Sequence, residues 1–225
     1  MTATDLFTPI LDLRPGDEAW RPMTWPPTRD TRLRGRTVEL ARVDPDTDAA
    51  ALHAALDHDA VWEHTRGRPG DPVGYARAFA EALADGRLPW VVRLARSYAG
   101  LGEGTVVGAS SYLEVSVPDA RLEIGSTAYD PRVWGSLVNP ETKLLLLEHA
   151  FDVLGAGRVQ LKTDIRNVRS QRAIARLGAR YEGTLRRYQR RADGTLRDTV
   201  LFSVLADDWP AVRDRISNRL IDQSR

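Results

Sequence analysis

Between Asp130 and Glu141 the chain reads Asp-Pro-Arg-Val-Trp-Gly-Ser-Leu-Val-Asn-Pro-Glu, a turn that leaves a strand-like run and enters a helical one. Gly135 lets backbone N–H groups approach a ligand closely. Asn139 is placed to cap the helix, and Pro140 suits its first turn. Unpaired amides and the helix dipole at such a junction favour an anion, phosphate above all, although many strand-to-helix turns bind nothing. Further on, Asn167, Ser170, Ile174 and Leu177 fall on one helical stripe at spacings of three, four and three. Arg169, Arg172 and Arg176 take a different face. Two polar side chains thus share the side that buries two apolar ones. That suits either ligand contact at the first turn or a plain helix cap beside a small packing residue. His53, His58 and His64 are spaced by five and six, which does not stack them on one helix face. The outer pair would stand about 16 Å apart, so no metal site is expected. Cysteine is absent, which excludes thiolate zinc, a disulfide framework and a cysteine nucleophile.

The elements that must position these residues follow from apolar periodicity. Thr37–Ala41 alternates as a strand. Asp44–Asp57 and Pro72–Ala84 read as helices, followed by strand-like runs at Leu88–Ala95, Thr105–Val115 and Arg121–Tyr129. Glu141–Leu154 is helical, Arg158–Asp164 a strand and Asn167–Leu177 a helix. Arg180–Arg191 and Leu196–Leu205 form two strands joined by the turn Ala192-Asp193-Gly194-Thr195. A final helix puts Trp209, Val212, Ile216 and Leu220 on one face, as core or as a homodimer contact. A meander feeding a βαβ segment is an α+β mixed sheet, not a doubly wound one.

The 225 residues suit one large domain, residues 33–225, preceded by an arm, residues 1–32. Five prolines and two tryptophans lie within the first 27 residues, so the arm cannot be a regular helix. Trp20, Trp25, Leu11 and Leu13 suggest that it packs on something. No run approaches a membrane span, and the first residues lack a secretory pattern, so a cytoplasmic location is expected. The net charge is +1, too little for a global attraction to nucleic acid. The arginines from Arg158 to Arg197 lack the interleaved aromatics that base stacking needs. Nucleic acid and membrane are therefore not expected partners. Of the 32 basic residues only Lys143 and Lys162 are lysine.

The run from Asn167-Val-Arg-Ser170 through Leu177-Gly178 to Glu182-Gly183-Thr184-Leu185-Arg186 resembles the signature of the GNAT acyltransferases, in particular the RimJ/RimL-like group. Leu122-Glu123-Ile124-Gly125 and the stretch from Asn139 to Phe151 agree with it, in the family's order and spacing. The similarity covers about residues 33 to 210 and leaves out the arm. It implies an α+β fold with a mixed, mostly antiparallel sheet, splayed at its middle strands and flanked by helices. It also implies transfer of an acetyl group from acetyl-CoA, with no metal, to a primary amine. The acceptor would be a protein or peptide N-terminus or a small molecule.

In the family the pantetheine arm enters the splay, which would set Thr127, Ala128 and Tyr129 against its amides. The pyrophosphate would lie on Arg132, Val133, Trp134, Gly135, Ser136, Leu137 and Asn139. The family's Gln/Arg-x-x-Gly-x-Gly/Ala ends here in Leu137, whose side chain is expected to narrow the amide cradle. Asn167 and Ser170 match positions near the thioester, and Ser170 matches the candidate acid that protonates the leaving thiolate. Some relatives carry a glutamate nineteen residues after that serine; here the position is Gln189. The expected base is then Glu123, which resembles the strand glutamate of other branches, with Tyr188 and Asp198 in reserve. An ion pair between Glu123 and an arginine is its bland reading. His58, Trp62 and His64 fall where the family lines its acceptor pocket. The alternative function is a catalytically silent acyl-CoA-binding or interaction module of the same fold.

Overall fold

In a computed structural model, residues 8–11, 19–65 and 67–222 are described. Among these residues eight strands build one sheet in the order β1-β2-β3-β4-β5-β6-β8-β7. Their ranges are β1 Arg32–Arg34, β2 Val38–Arg42, β3 Leu88–Leu94, β4 Val106–Ser116, β5 Arg121–Tyr129, β6 Arg158–Asp164, β7 Arg180–Arg190 and β8 Leu196–Leu205. Among the described residues six α-helices flank it: α1 Pro45–Leu56, α2 Asp59–Trp62, α3 Pro72–Ala84, α4 Val138–Glu148, α5 Val168–Leu177 and α6 Trp209–Asp222. This is the expected mixed α+β sheet. The edge strand β1 and the single turn α2 add to the elements read from the sequence.

The period of two along each strand divides the core. Trp90, Val92 and Leu94 of β3 join Leu146, Leu147, Phe151, Ile174 and Trp209 on the face covered by α4, α5 and α6. Val91, between Trp90 and Val92, joins Leu52, Leu56 and Tyr75 under α1 and α3. Helix starts are set by local chemistry. The Asp44 carboxylate accepts from the amides of Asp46 and Thr47 ahead of Pro45, and Asp71 accepts from Gly74 N ahead of Pro72. Helix α5 ends at Gly178 with φ 101°, the left-handed stop that glycine adopts without strain.

Every strand pair is antiparallel except β5 with β6, which run parallel and pair only at Arg121–Glu123 against Arg158–Gln160. Beyond Glu123 the two strands part. On its other side β5 stays paired with β4, but the register slips between Ala109 and Ser111, and Ser126 takes φ 46°. One strand bends there while its neighbour does not, and a wedge opens between β5 and β6.

Two sequence expectations change at α4. The helix starts at Val138, so Asn139 is its second residue and not its cap; Leu137 precedes it with helical backbone and no side-chain cap bond. The Ser136 hydroxyl instead accepts from Val138 N at 3.2 Å. The α-helix stops at Glu148 and continues as a π turn over His149–Val153. The segment before β1 lies on the connection that follows this turn. Trp20 Nε1 donates to Gly155 O at 3.0 Å, Thr24 N donates to Leu154 O at 2.8 Å, and Met23 is buried. Leu11 is exposed, and Leu13 lies outside the described residues.

Candidate functional site at the parted strands

At the point of the wedge stands Glu123, buried in spite of its charge. Its carboxylate lies 2.8 Å from Lys162 Nζ on β6 and 3.4 Å from Gln160 Nε2. Lys162 also reaches Glu114 at 2.6 Å and the Tyr188 hydroxyl at 3.2 Å. The expected arginine partner of Glu123 is thus a lysine. Burial pushes the Glu123 carboxyl up, and Lys162 only partly offsets it. For Lys162 burial acts downward, but Glu114 and Glu123 outweigh it and hold the ammonium well above its ordinary value. Glu123 thus carries a carboxylate more basic than an exposed one, held against the Lys162 ammonium.

The turn from Asp130 to Leu137 lies at the open end of β5. Asp130 is fully buried and binds Arg132 through both carboxylate oxygens, at 3.0 Å to Nε. Burial alone would raise the Asp130 carboxyl; the guanidinium overrides it and holds it low. Arg132 is therefore oriented from below while its far side stays exposed. Gly135 has φ 73° and open space where a Cβ would stand. Among the described residues nothing accepts from the amides of Gly135, Ser136 or Asn139. Leu137 does not narrow this cradle, because its side chain is 4% exposed and turned into the protein. A helix N-terminus, open amides and an oriented arginine are what a phosphate group needs.

Helix α5 meets the same turn. Arg169 stacks on Trp134 with its guanidinium carbon 3.5 Å from the ring centroid, and Trp134 Nε1 donates to Tyr129 O at 2.9 Å. Asn167 is the cap of α5, its Oδ1 accepting from Ser170 N at 2.9 Å. The Ser170 hydroxyl is half-buried and makes no hydrogen bond among the described residues. Val133 packs in the core, whereas Thr127 and Ser136 stay near the surface. Ala128 turns to the α1–α3 side, and Tyr129 is buried.

On that α1–α3 side Trp62 packs edge-on to Tyr75, 6.0 Å between centroids, and donates to Leu56 O. His58 is exposed and His64 half-buried. The reserve base Asp198 is occupied by the Arg187 amide at 2.7 Å. Among the described residues no group of three or more His, Asp or Glu side chains could hold a metal, and no helix is long and apolar enough to cross a membrane.

Comparison with known proteins decides the family. The family model described as acetyltransferase (GNAT) domain matches residues 37–180. The chain belongs to the GNAT acetyltransferases. A T. thermophilus protein, solved under a provisional acetyltransferase assignment, is 38% identical and superposes with a TM-score of 0.74 over 88% of this chain and 100% of that one. A GCN5-related N-acetyltransferase from Brucella melitensis is 27% identical, with a TM-score of 0.79 over 89% of each chain. Mycobacterium smegmatis RimJ, solved with CoA-disulfide, shares the fold at 22% identity and a TM-score of 0.66, over 81% of this chain and 88% of that one. No curated protein matches the chain.

In this GNAT chain three residues join the surroundings of the wedge only through the fold: Lys162, Arg169 and Lys143. Lys162 sits inside a strand, β6, whose pattern in the sequence marks apolar positions alone. Arg169 lies on a helix face different from that of Ser170, yet that face meets Trp134. Lys143 did carry a signal: it precedes Leu146 and Leu147 by three and four residues, which puts a charge on an apolar stripe.

Proposed function

We propose that the protein transfers an acetyl group from acetyl-CoA to a primary amine, at a protein or peptide N-terminus or on a small molecule, in the manner of the RimJ/RimL-like group and in the cytoplasm. The observation that carries this reading is the parting of β5 from β6 immediately beyond Glu123, with the open amides of the 132–139 turn at the end of the same strand. Acetyl-CoA, when bound, supplies an acyl group activated as a thioester. Arg132 and the amides of Gly135, Ser136 and Asn139 would hold its phosphates, with Arg169 stacked on Trp134 of the same turn. The edge of β5 from Thr127 to Tyr129 would present amides and carbonyls to its pantetheine arm. Glu123, made more basic by burial and kept ionised by Lys162, takes a proton from the acceptor's ammonium, directly or through water. Ser170, unpaired at the first turn of α5 beside Asn167, offers its hydroxyl proton to the leaving sulfur.

The ion pair of Glu123 with Lys162, together with Gln189, favours one competing reading, a silent acyl-CoA-binding module. Two measurements separate them. Saturating acetyl-CoA, at about a hundred times its dissociation constant, should stabilise the protein by about 2.7 kcal/mol, a rise in Tm on the order of 5–10 °C for a domain of this size. Release of free thiol with a panel of peptide and small amines should then exceed the protein-free rate. A thermal shift without turnover on any amine would select the silent module. The absence of both would refute the acyl-CoA reading.

A further inference from the structure

Lys143, in the second turn of α4, is 5% exposed, and its position would suit a leucine like the four that follow it. Its Nζ lies 2.5 Å from Thr127 Oγ1 and 3.0 Å from Ser110 Oγ, and those two oxygens are 2.8 Å apart. No carboxylate pairs with it among the described residues. The three groups form a closed triangle beneath the bend at Ser126, and only one corner, Thr127, reaches the surface.

Counting donors fixes the direction of each bond. An ammonium donates and cannot accept, and each hydroxyl has one proton to place. Lys143 in its charged form donates to both oxygens. Ser110 is fully buried, and its proton then has one acceptor within reach, Thr127 Oγ1. The Thr127 oxygen is filled by two donors, so its own proton must leave the triangle. The nearest alternative, Gly125 O, is 3.5 Å away, at the limit of a hydrogen bond. The proton turns to the exposed side of Thr127, the corner of the triangle that solvent or a ligand can reach. With Lys143 neutral, its lone pair accepts from either hydroxyl, and Thr127 need no longer face outward.

We infer that the charge on Lys143 fixes the Thr127 hydroxyl as an outward hydrogen-bond donor, and that this donor binds a carbonyl oxygen of the acyl-CoA in the wedge. The inference rests on the acyl-CoA reading and extends it to a residue the reaction scheme does not use. Lys143 is a positioning residue, since it acts through Thr127. Burial brings its ammonium down to about 7, against the pull of the Glu123 charge. The other ionisable groups on the packed elements are committed elsewhere. Lys162 and Glu114 pair around Glu123. Glu141 of α4 faces the amides of Arg36, Thr37 and Val38. His149 is held neutral by burial, at about 4, and meets Tyr112 of β4. The donor is therefore locked below neutral pH and released above it.

The test measures acetyl-CoA binding by calorimetry without any amine, from pH 6 to pH 9, on the full chain and on Thr127→Val, Thr127→Ser and Lys143→Met. Loss of one such bond corresponds to about tenfold in Kd. The unaltered protein should weaken by about that factor as pH rises through 7. Thr127→Val and Lys143→Met should bind about tenfold more weakly at pH 6 and show no change with pH; Thr127→Ser should restore both affinity and slope. The chain has two lysines, so a carbon-13 Cε titration resolves Lys143 without substrate, and a midpoint near 10 would overturn the inference. Binding that ignores pH and both substitutions would overturn it while leaving the acyl-CoA reading intact. An unaltered protein that binds no acetyl-CoA would end both. Because Thr127 is exposed, its variants test the donor without altering the buried lysine.

Discussion

Replacing Lys143 by methionine should stabilise the protein, and most of all at acid pH. The side chain keeps nearly its length but loses a charge that the interior disfavours. The hydroxyls of Ser110 and Thr127, 2.8 Å apart, can still satisfy each other, so the change strands no buried donor. In the folded chain the ammonium titrates near 7 against an ordinary 10.5. At about 1.4 kcal/mol per pH unit, that difference corresponds to about 5 kcal/mol as an upper bound. The sign follows from linkage. Below pH 7 both folded and unfolded chains carry the proton, and the full cost of burying the charge is present. Between 7 and 10.5 the unfolded chain holds the proton and the folded chain does not, so stability rises with pH. Above 10.5 the cost has vanished. Urea unfolding of the protein and of Lys143→Met at pH 6, 8 and 9.5 should give a variant more stable by several kcal/mol at pH 6, with a gap that closes toward pH 10. A gap independent of pH, or a less stable variant, would refute the picture of a buried and uncompensated ammonium.

Glu123→Gln should lower kcat by about 10²- to 10⁴-fold and remove the acidic limb of the pH–rate profile; an unchanged profile would exclude Glu123 as the base. Lys162→Met should move that limb to higher pH, because it removes the cation that opposes the effect of burial on Glu123, and a limb that stays in place would show that the pair is not coupled. Glu141→Ala should destabilise the fold by about 3–5 kcal/mol, since its carboxylate accepts from Arg36 N at 2.8 Å, Thr37 N at 2.7 Å and Val38 N at 2.9 Å. Thermal denaturation should show it as a Tm lower by roughly 10 °C, and a loss below about 1 kcal/mol would deny Glu141 its part in anchoring the β1–β2 turn.

Much of this architecture is legible in the sequence because it is local. The cap of α5 is set by Asn167 and its stop by Gly178, and the β7–β8 hairpin by Asp193-Gly194-Thr195; each uses chemistry within a few residues. Helix α4 starts three residues before the expected Glu141 because Asn139 and Pro140 imitate a cap, while the bond that serves there comes from Ser136. What could not be read is what distant segments decide. Ser126 is an unremarkable serine, and its left-handed backbone is imposed by the slipped register against Ser110. The pairing of Glu123 with Lys162 joins neighbouring strands, and Arg169 finds Trp134 only once α5 has docked. The wedge has no residue pattern of its own, since it is a stretch over which two strands fail to meet.

That stretch has a consequence for how the molecule comes apart. Three residue pairs join β5 to β6, whereas seven join β6 to β8. The sheet behaves as a five-stranded unit and a three-stranded unit held at one narrow seam, and regions so joined open separately, at free energies below that of global unfolding. Amides on the free edges of β5 beyond Glu123 and of β6 beyond Gln160 should exchange with solvent faster than those of β3 and β4. A ligand lodged between the edges would slow them together, so the exchange pattern alone would record when the two units have become one.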